Sequence, residues 1–71
     1  MMAEFEVGVF NKEVREALAG GGRHRDLSDD WADMHYVTVR ATDEDGARQA
    51  AKRKYPADRG YVVDSVFPLR E

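Results

Sequence analysis

Four consecutive segments carry the clearest structural pattern in the chain: YVTVRA (residues 36–41), TDEDGARQAAKRKYP (42–56), ADRG (57–60) and YVVDSVF (61–67). The first segment alternates apolar and polar side chains and is rich in β-branched residues, which is typical of a strand. The second starts with acids and ends with bases before a proline, a charge order that stabilises a helix. A glycine-containing turn and another β-branched run complete the stretch. We therefore predict strand, helix and strand, with the helix over residues 43–55.

The predicted helix opens at Thr42, whose hydroxyl can accept a hydrogen bond from the amide of Asp45 in the manner of a capping box. At about 100° per residue, one side of this helix carries only small residues. They are Gly46, Ala47, Ala50 and Ala51. A face this flat lets the helix backbone approach a sheet closely, so we expect the strands to supply the bulk of the core.

Strict alternation divides the last strand into two faces that are both partly apolar. One carries Tyr61, Val63, Ser65 and Phe67, and the other carries Val62, Asp64 and Val66. We therefore expect this strand to be partly covered on both sides.

The N-terminal half predicts a strand, a short helix and a long loop. Residues 4–10 alternate with the period of a strand that has one buried face. Asn11 can cap a helix over residues 12–19, which ends at three consecutive glycines. Residues 23–35 then form a charged loop, in which Trp31 serves either as core of a small domain or as an interface anchor.

We predict a single small α+β domain over residues 1–71, because a chain of this length has no room for a second. The main helix spans roughly 20 Å and returns the chain along the sheet, so the strands that flank it should run parallel. The first strand either lies between them, antiparallel to both, or pairs with the second. The expected architecture is two-layer: a three-stranded mixed sheet with the helix over residues 43–55 on one face, a short helix over residues 12–19, and a long loop between strands one and two.

Composition excludes several classes of function. The chain has no cysteine, which rules out disulfides, thiolate metal sites and a cysteine nucleophile. No segment is apolar over the length of a membrane-spanning helix, and the N-terminal residues lack the basic leader of a signal peptide. The formal net charge of −3 gives no overall attraction to nucleic acid. We expect a cytoplasmic protein that makes no contact with a membrane.

The sequence contains no recognisable catalytic motif. His24 and His35 flank four aspartates and could hold a divalent metal, but their spacing matches no known ligand pattern. A solvated acidic loop with two surface histidines explains them more simply. We therefore predict no enzyme activity, no cofactor and no metal, and keep a metal-dependent enzyme at His24 and His35 as a distant alternative.

The predicted sheet has one main helix to cover its two faces, so one face is left without full cover. That face carries Tyr36, Thr38 and Arg40, and an uncovered apolar face favours self-association or a protein partner. We therefore expect a small non-enzymatic protein–protein interaction module or accessory subunit, most simply a homodimer. Its interaction residues would be Trp31, Tyr36, Thr38 and Arg40.

A nucleic-acid-binding domain is the alternative. Residues 48–54 of the main helix carry a basic set close to Tyr55 and Tyr61. The set comprises Arg48, Lys52, Arg53 and Lys54, and Arg59 follows in the next turn. Basic charge attracts a phosphate backbone, and aromatic rings can stack on bases. The same charges also complement the helix dipole, and the chain as a whole is acidic.

The segment VRATDEDGARQAAKRKY (39–55), followed by YVVDSV (61–66), is similar in pattern to one short stretch of a small structural subunit of multicomponent oxygenases. A capped helix after a strand accounts for the pattern. The resemblance covers only the middle of the chain and implies no function for it.

Overall fold

Strands and helices alternate along residues 2–69, which are the residues that the computed structural model describes. Their order is strand β1 (Ala3–Asn11), helix α1 (Lys12–Ala19), strand β2 (His35–Ala41), helix α2 (Glu44–Lys54) and strand β3 (Tyr61–Pro68). Short 3₁₀ turns at Asp29–Ala32 and Ala57–Arg59 lie in the connections before β2 and before β3. In this part of the chain, no helix is both long enough and apolar enough to cross a membrane.

The central strand of the sheet is β1, which pairs antiparallel with β2 on one side and with β3 on the other. This confirms the predicted α+β architecture with one short and one main helix, although α2 is one residue shorter at each end than predicted. The prediction of a mixed sheet, which requires at least one parallel pair of strands, is wrong. Strands β2 and β3 do run in the same direction, but β1 separates them, so every hydrogen-bonded pair is antiparallel.

Helix α2 packs on one side of the sheet through its small residues. Its N-cap is Asp43 rather than Thr42, because the Asp43 carboxylate accepts a hydrogen bond of 2.8 Å from the Gly46 amide. Its buried residues are Ala47 and Ala51. The core around them is formed by Phe5, Val7, Val9, Ala41 and Val66. The strands therefore supply the bulk of the core, as the flat helix face predicts.

A bulge in β3 changes which of its side chains face α2. The register between β1 and β3 shifts between Gly8 and Val9, which leaves Asp64 as the extra residue of β3. As a result Val66 lies on the same side of the sheet as Val63 and is only 7% exposed. Strict alternation places these two valines on opposite faces, and that prediction is wrong because the bulge reverses the alternation at Asp64.

Asn11 joins the end of β1 to the turn that precedes β3. Its buried side chain accepts hydrogen bonds from the amides of Glu13 (2.9 Å) and Val14 (3.2 Å), which confirms its predicted role as the cap of α1. The Nδ2 atom of Asn11 also donates to the carbonyl of Arg59 (3.1 Å). One side chain therefore fixes both the start of α1 and the position of the turn at residues 57–59.

Candidate interaction surfaces

The side of the sheet opposite α2, here called the open face, is built by alternate residues of all three strands. Residues directly opposite each other in an antiparallel ladder share a face. The register therefore assigns to this face Glu4, Glu6, Gly8 and Phe10 of β1, Tyr36, Thr38 and Arg40 of β2, and Val62, Ser65 and Phe67 of β3. Tyr36 is 58% exposed and Phe67 is 51% exposed. The three β2 residues predicted to make interactions are thus brought together on one surface.

One end of the open face is closed by side chains from outside the sheet. Arg15 of α1 lies over the Phe10 ring at 3.6 Å from its centroid, and its Nε atom donates to the carbonyl of Ala32 (2.6 Å). Gly8 is buried, and a Cβ built on it would lie 3.1 Å from the sulfur of Met34. Gly8 and Phe10 are therefore covered at this end, whereas Tyr36, the cross-strand neighbour of Gly8, and Phe67 remain exposed.

Trp31 lies in the helix-side layer, not on the open face. Its ring stacks on His35 with centroids 4.1 Å apart and an interplanar angle of 12°. It also contacts the rings of Tyr61 (5.3 Å) and Tyr55 (5.8 Å). This half-buried aromatic cluster packs against the apolar core. Of the two roles that the sequence leaves open for Trp31, these contacts favour core.

A second surface is a cleft of about 690 Å³ between the loop at residues 24–27, the end of α2 and the turn at residues 57–59. We call it the basic cleft, after its cationic residues Arg25, Arg53, Lys54 and Arg59. Its walls also carry three acids, Glu13, Asp26 and Asp58. Among residues 2–69, none of the four cations lies within 4.0 Å of a carboxylate. The cleft is therefore a mildly positive region on an acidic chain.

The basic set predicted on the main helix is divided by the structure. Arg53 and Lys54 line the basic cleft, whereas Lys52 lies in a neighbouring groove. Arg48 turns to β3, where its Nη1 atom is 3.5 Å from the carbonyl of Val63. Arg59, which follows the helix in the sequence, also lines the cleft, but sequence reasoning missed Arg25. No local pattern marks Arg25, because the fold brings its loop to the helix end.

The two histidines have different surroundings, and each makes contacts that orient its ring. His24 Nδ1 accepts hydrogen bonds from the amides of Asp26 (3.1 Å) and Leu27 (3.2 Å), and its Nε2 lies 3.3 Å from a carboxylate oxygen of Glu13. His35 Nε2 donates to the carbonyl of Asp30 (2.9 Å). Over residues 2–69, the structure has no group of three or more His, Asp or Glu side chains that could hold a metal ion.

Comparison of the chain with protein-family models, with curated proteins and with solved structures found no match.

Proposed function

We propose that this chain is a small non-enzymatic module that binds a protein partner through β2 and the open face. The partner is a second copy of the chain, or a larger complex in which the chain is an accessory subunit. The observation that carries the proposal is the 58% exposure of Tyr36. Tyr36 lies on the edge strand β2, on the face of the sheet that no helix among residues 2–69 covers. Tyrosine, phenylalanine and arginine are enriched in protein interfaces, and this face presents all three.

The shape of the molecule supports the same proposal. Its accessible area is 4930 Å², compared with about 4,500 Å² expected for a compact monomer of this size. Its radius of gyration is 13.3 Å, compared with about 11 Å for a compact domain of this length. The chain thus exposes more surface than a compact monomer would. A partner on the open face would cover part of that excess.

The charge-rich composition suits a module of the cytoplasm.

The substitution Tyr36→Lys tests the proposal. The side chain is exposed, so the fold of the single chain should tolerate the change, whereas a lysine at an interface centre would be desolvated. We expect the dissociation constant for self-association, measured by sedimentation equilibrium, to rise at least tenfold. The matched control is Leu18→Lys, which places the same charge at an exposed apolar residue of α1. A wild-type mass of one chain at high concentration would contradict self-association, and equal effects of both variants would contradict the assignment to β2.

Binding of single-stranded nucleic acid is the second candidate, favoured by the convergence of Arg25, Arg53, Lys54 and Arg59 at one cleft. Tyr61 also lines the cleft and offers a ring on which a base can stack. We would measure the fluorescence anisotropy of a labelled mixed-sequence oligonucleotide at about 50 mM and about 200 mM salt, because phosphate contacts weaken steeply with salt.

If this second candidate is right, the double variant Arg53→Glu, Lys54→Glu should abolish binding. The control is Arg23→Glu, since Arg23 is exposed and lies near Asp29 (3.8 Å) instead of lining the basic cleft. No binding by the wild type at the lower salt concentration would eliminate nucleic acid as a ligand.

A further inference from the structure

We infer that two copies of the chain pair antiparallel through their β2 strands, with Thr38 on the two-fold axis, to form one continuous six-stranded sheet. The inference rests on the proposed function and specifies its partner and geometry. It follows from three properties of the strand at residues 35–41: a free edge, a self-complementary sequence, and apolar side chains that are only partly buried beside that edge.

The two edges of the sheet differ in how open they are to a further strand. On β3 the bulge at Asp64 interrupts the regular spacing, Pro68 lacks an amide hydrogen, and Arg48 approaches the Val63 carbonyl. Bulges and prolines are features that protect edge strands from pairing. In contrast, β2 forms seven consecutive regular pairs with β1 and contains neither proline nor bulge. In the described part of the chain, the outer edge of β2 pairs with no other strand.

The sequence of β2 is complementary to itself when Thr38 is the centre of the pairing. Tyr36 then lies opposite the partner's Arg40, Val37 lies opposite the partner's Val39, and the two threonines face each other. Aromatic–cation, β-branched and Thr–Thr pairs are all favourable across antiparallel strands. The strand contains no acidic residue, so no two carboxylates face each other within the paired strands.

This register is also the one that uses the whole strand. Residue 38 is the middle of the seven-residue strand, so centring the pairing there gives seven residue pairs. Moving the centre to Val39 leaves five pairs within β2 and removes the contact between Tyr36 and Arg40. Moving it to Arg40 places two like charges opposite each other, which is destabilising. In β2 the odd-numbered residues face the helix side and the even-numbered residues face the open face. A register that places an odd-numbered residue opposite an even-numbered one would therefore put the two α2 helices on opposite sides of the sheet.

The exposure of the helix-side residues of β2 agrees with this pairing. Val37 and Val39 pack against the apolar core but are only partly buried at the edge of the sheet. In the paired arrangement, Val37 of one copy contacts Val39 of the second copy on the helix side of the sheet, and Val39 contacts Val37. The pairing would therefore remove apolar surface from water as well as satisfying the backbone groups of the free edge.

Single cysteine substitutions test the geometry, because the natural chain contains no cysteine. Opposed residues have Cβ atoms about 5 Å apart in antiparallel pairs, so Thr38→Cys should form a disulfide-linked dimer under mild oxidation. In Arg40→Cys the two thiols would be offset by about 14 Å along the strands, too far for a bridge. Phe67→Cys probes stacking of two open faces and should also remain uncross-linked.

Charge exchange at the axis gives an independent readout. Thr38→Lys and Thr38→Glu should each raise the dissociation constant of the homodimer at least tenfold, since each places like charges opposite each other. An equimolar mixture of the two variants should restore a dimer, seen by sedimentation equilibrium, while circular dichroism checks that each variant is folded. The edge pairing would be overturned if the Phe67→Cys variant cross-links and the Thr38→Cys variant does not, or if the mixture of charge variants restores no dimer. Either result would leave the proposed function intact. The proposed function is tested separately by the Tyr36→Lys experiment, in which equal effects of Tyr36→Lys and Leu18→Lys would contradict it.

Discussion

Replacing Asn11 with alanine should cost this protein a large part of its stability. The side chain makes three hydrogen bonds: two accepted from the amides that begin α1, and one donated to the carbonyl of Arg59. It is fully buried, so water cannot take its place without a rearrangement. The substitution therefore removes a helix cap and, at the same time, the tie between the end of β1 and the turn before β3.

The cost follows from these contacts. Loss of a good N-cap costs about 1 kcal/mol. The Arg59 carbonyl, which loses its partner in a partly buried position, costs about 1–3 kcal/mol more. The sum is about 2–4 kcal/mol, compared with a total stability of about 4–10 kcal/mol expected for a domain of this size. At about 4–8 °C per kcal/mol, the midpoint of thermal unfolding should fall by roughly 8–32 °C.

The free energy of unfolding should be measured by urea denaturation, followed by circular dichroism, for Asn11→Ala and for Asp43→Ala. Asp43 is the matched control because it caps α2 with a single hydrogen bond in an exposed position, so its loss should cost only about 1 kcal/mol. If Asn11→Ala costs no more than Asp43→Ala, the burial and the tie to Arg59 contribute nothing, and the reasoning is refuted.

Three further expectations concern the same region. Gly60 has φ 93°, and a Cβ on it would lie 2.7 Å from Oδ1 of Asn11, so Gly60→Ala should lower the free energy of unfolding by about 2 kcal/mol or more; a neutral result in urea denaturation would argue against this turn geometry. Trp31→Ala should cost about 2–3 kcal/mol because the half-buried ring contacts three other rings, and a cost below about 1 kcal/mol, measured in the same way, would favour the interface role. Neutral His24 should carry its proton on Nε2, because Nδ1 accepts two amide bonds; a ring ¹H–¹⁵N correlation spectrum that shows the Nδ1–H tautomer would contradict these contacts.

The candidate surfaces were only partly predictable. Alternation along β2 is a local property, so Tyr36, Thr38 and Arg40 could be assigned to one face from the sequence, and the register with β1 places them there. Strict alternation places Phe67 on the same face as Tyr61 and Val63. That prediction is wrong, because the bulge at Asp64 moves Phe67 to the open face. The members of the basic cleft come from three separated segments, and no spacing in the sequence indicates that such segments meet.

Local patterns in the sequence are enough to predict a strand ending at Asn11, a helix capped by Asn11, and a strand–helix–strand unit whose helix has a flat alanine face. These features depend on interactions between residues a few positions apart, such as caps, dipole charges and side-chain periodicity, which every local segment carries within itself. Three features emerge only from the assembled fold: β1 lies between β2 and β3, β3 contains a bulge, and Trp31 packs on the helix side. These outcomes depend on backbone pairing and packing between segments far apart in the chain, where several arrangements satisfy the same local preferences and only the assembled core selects one of them.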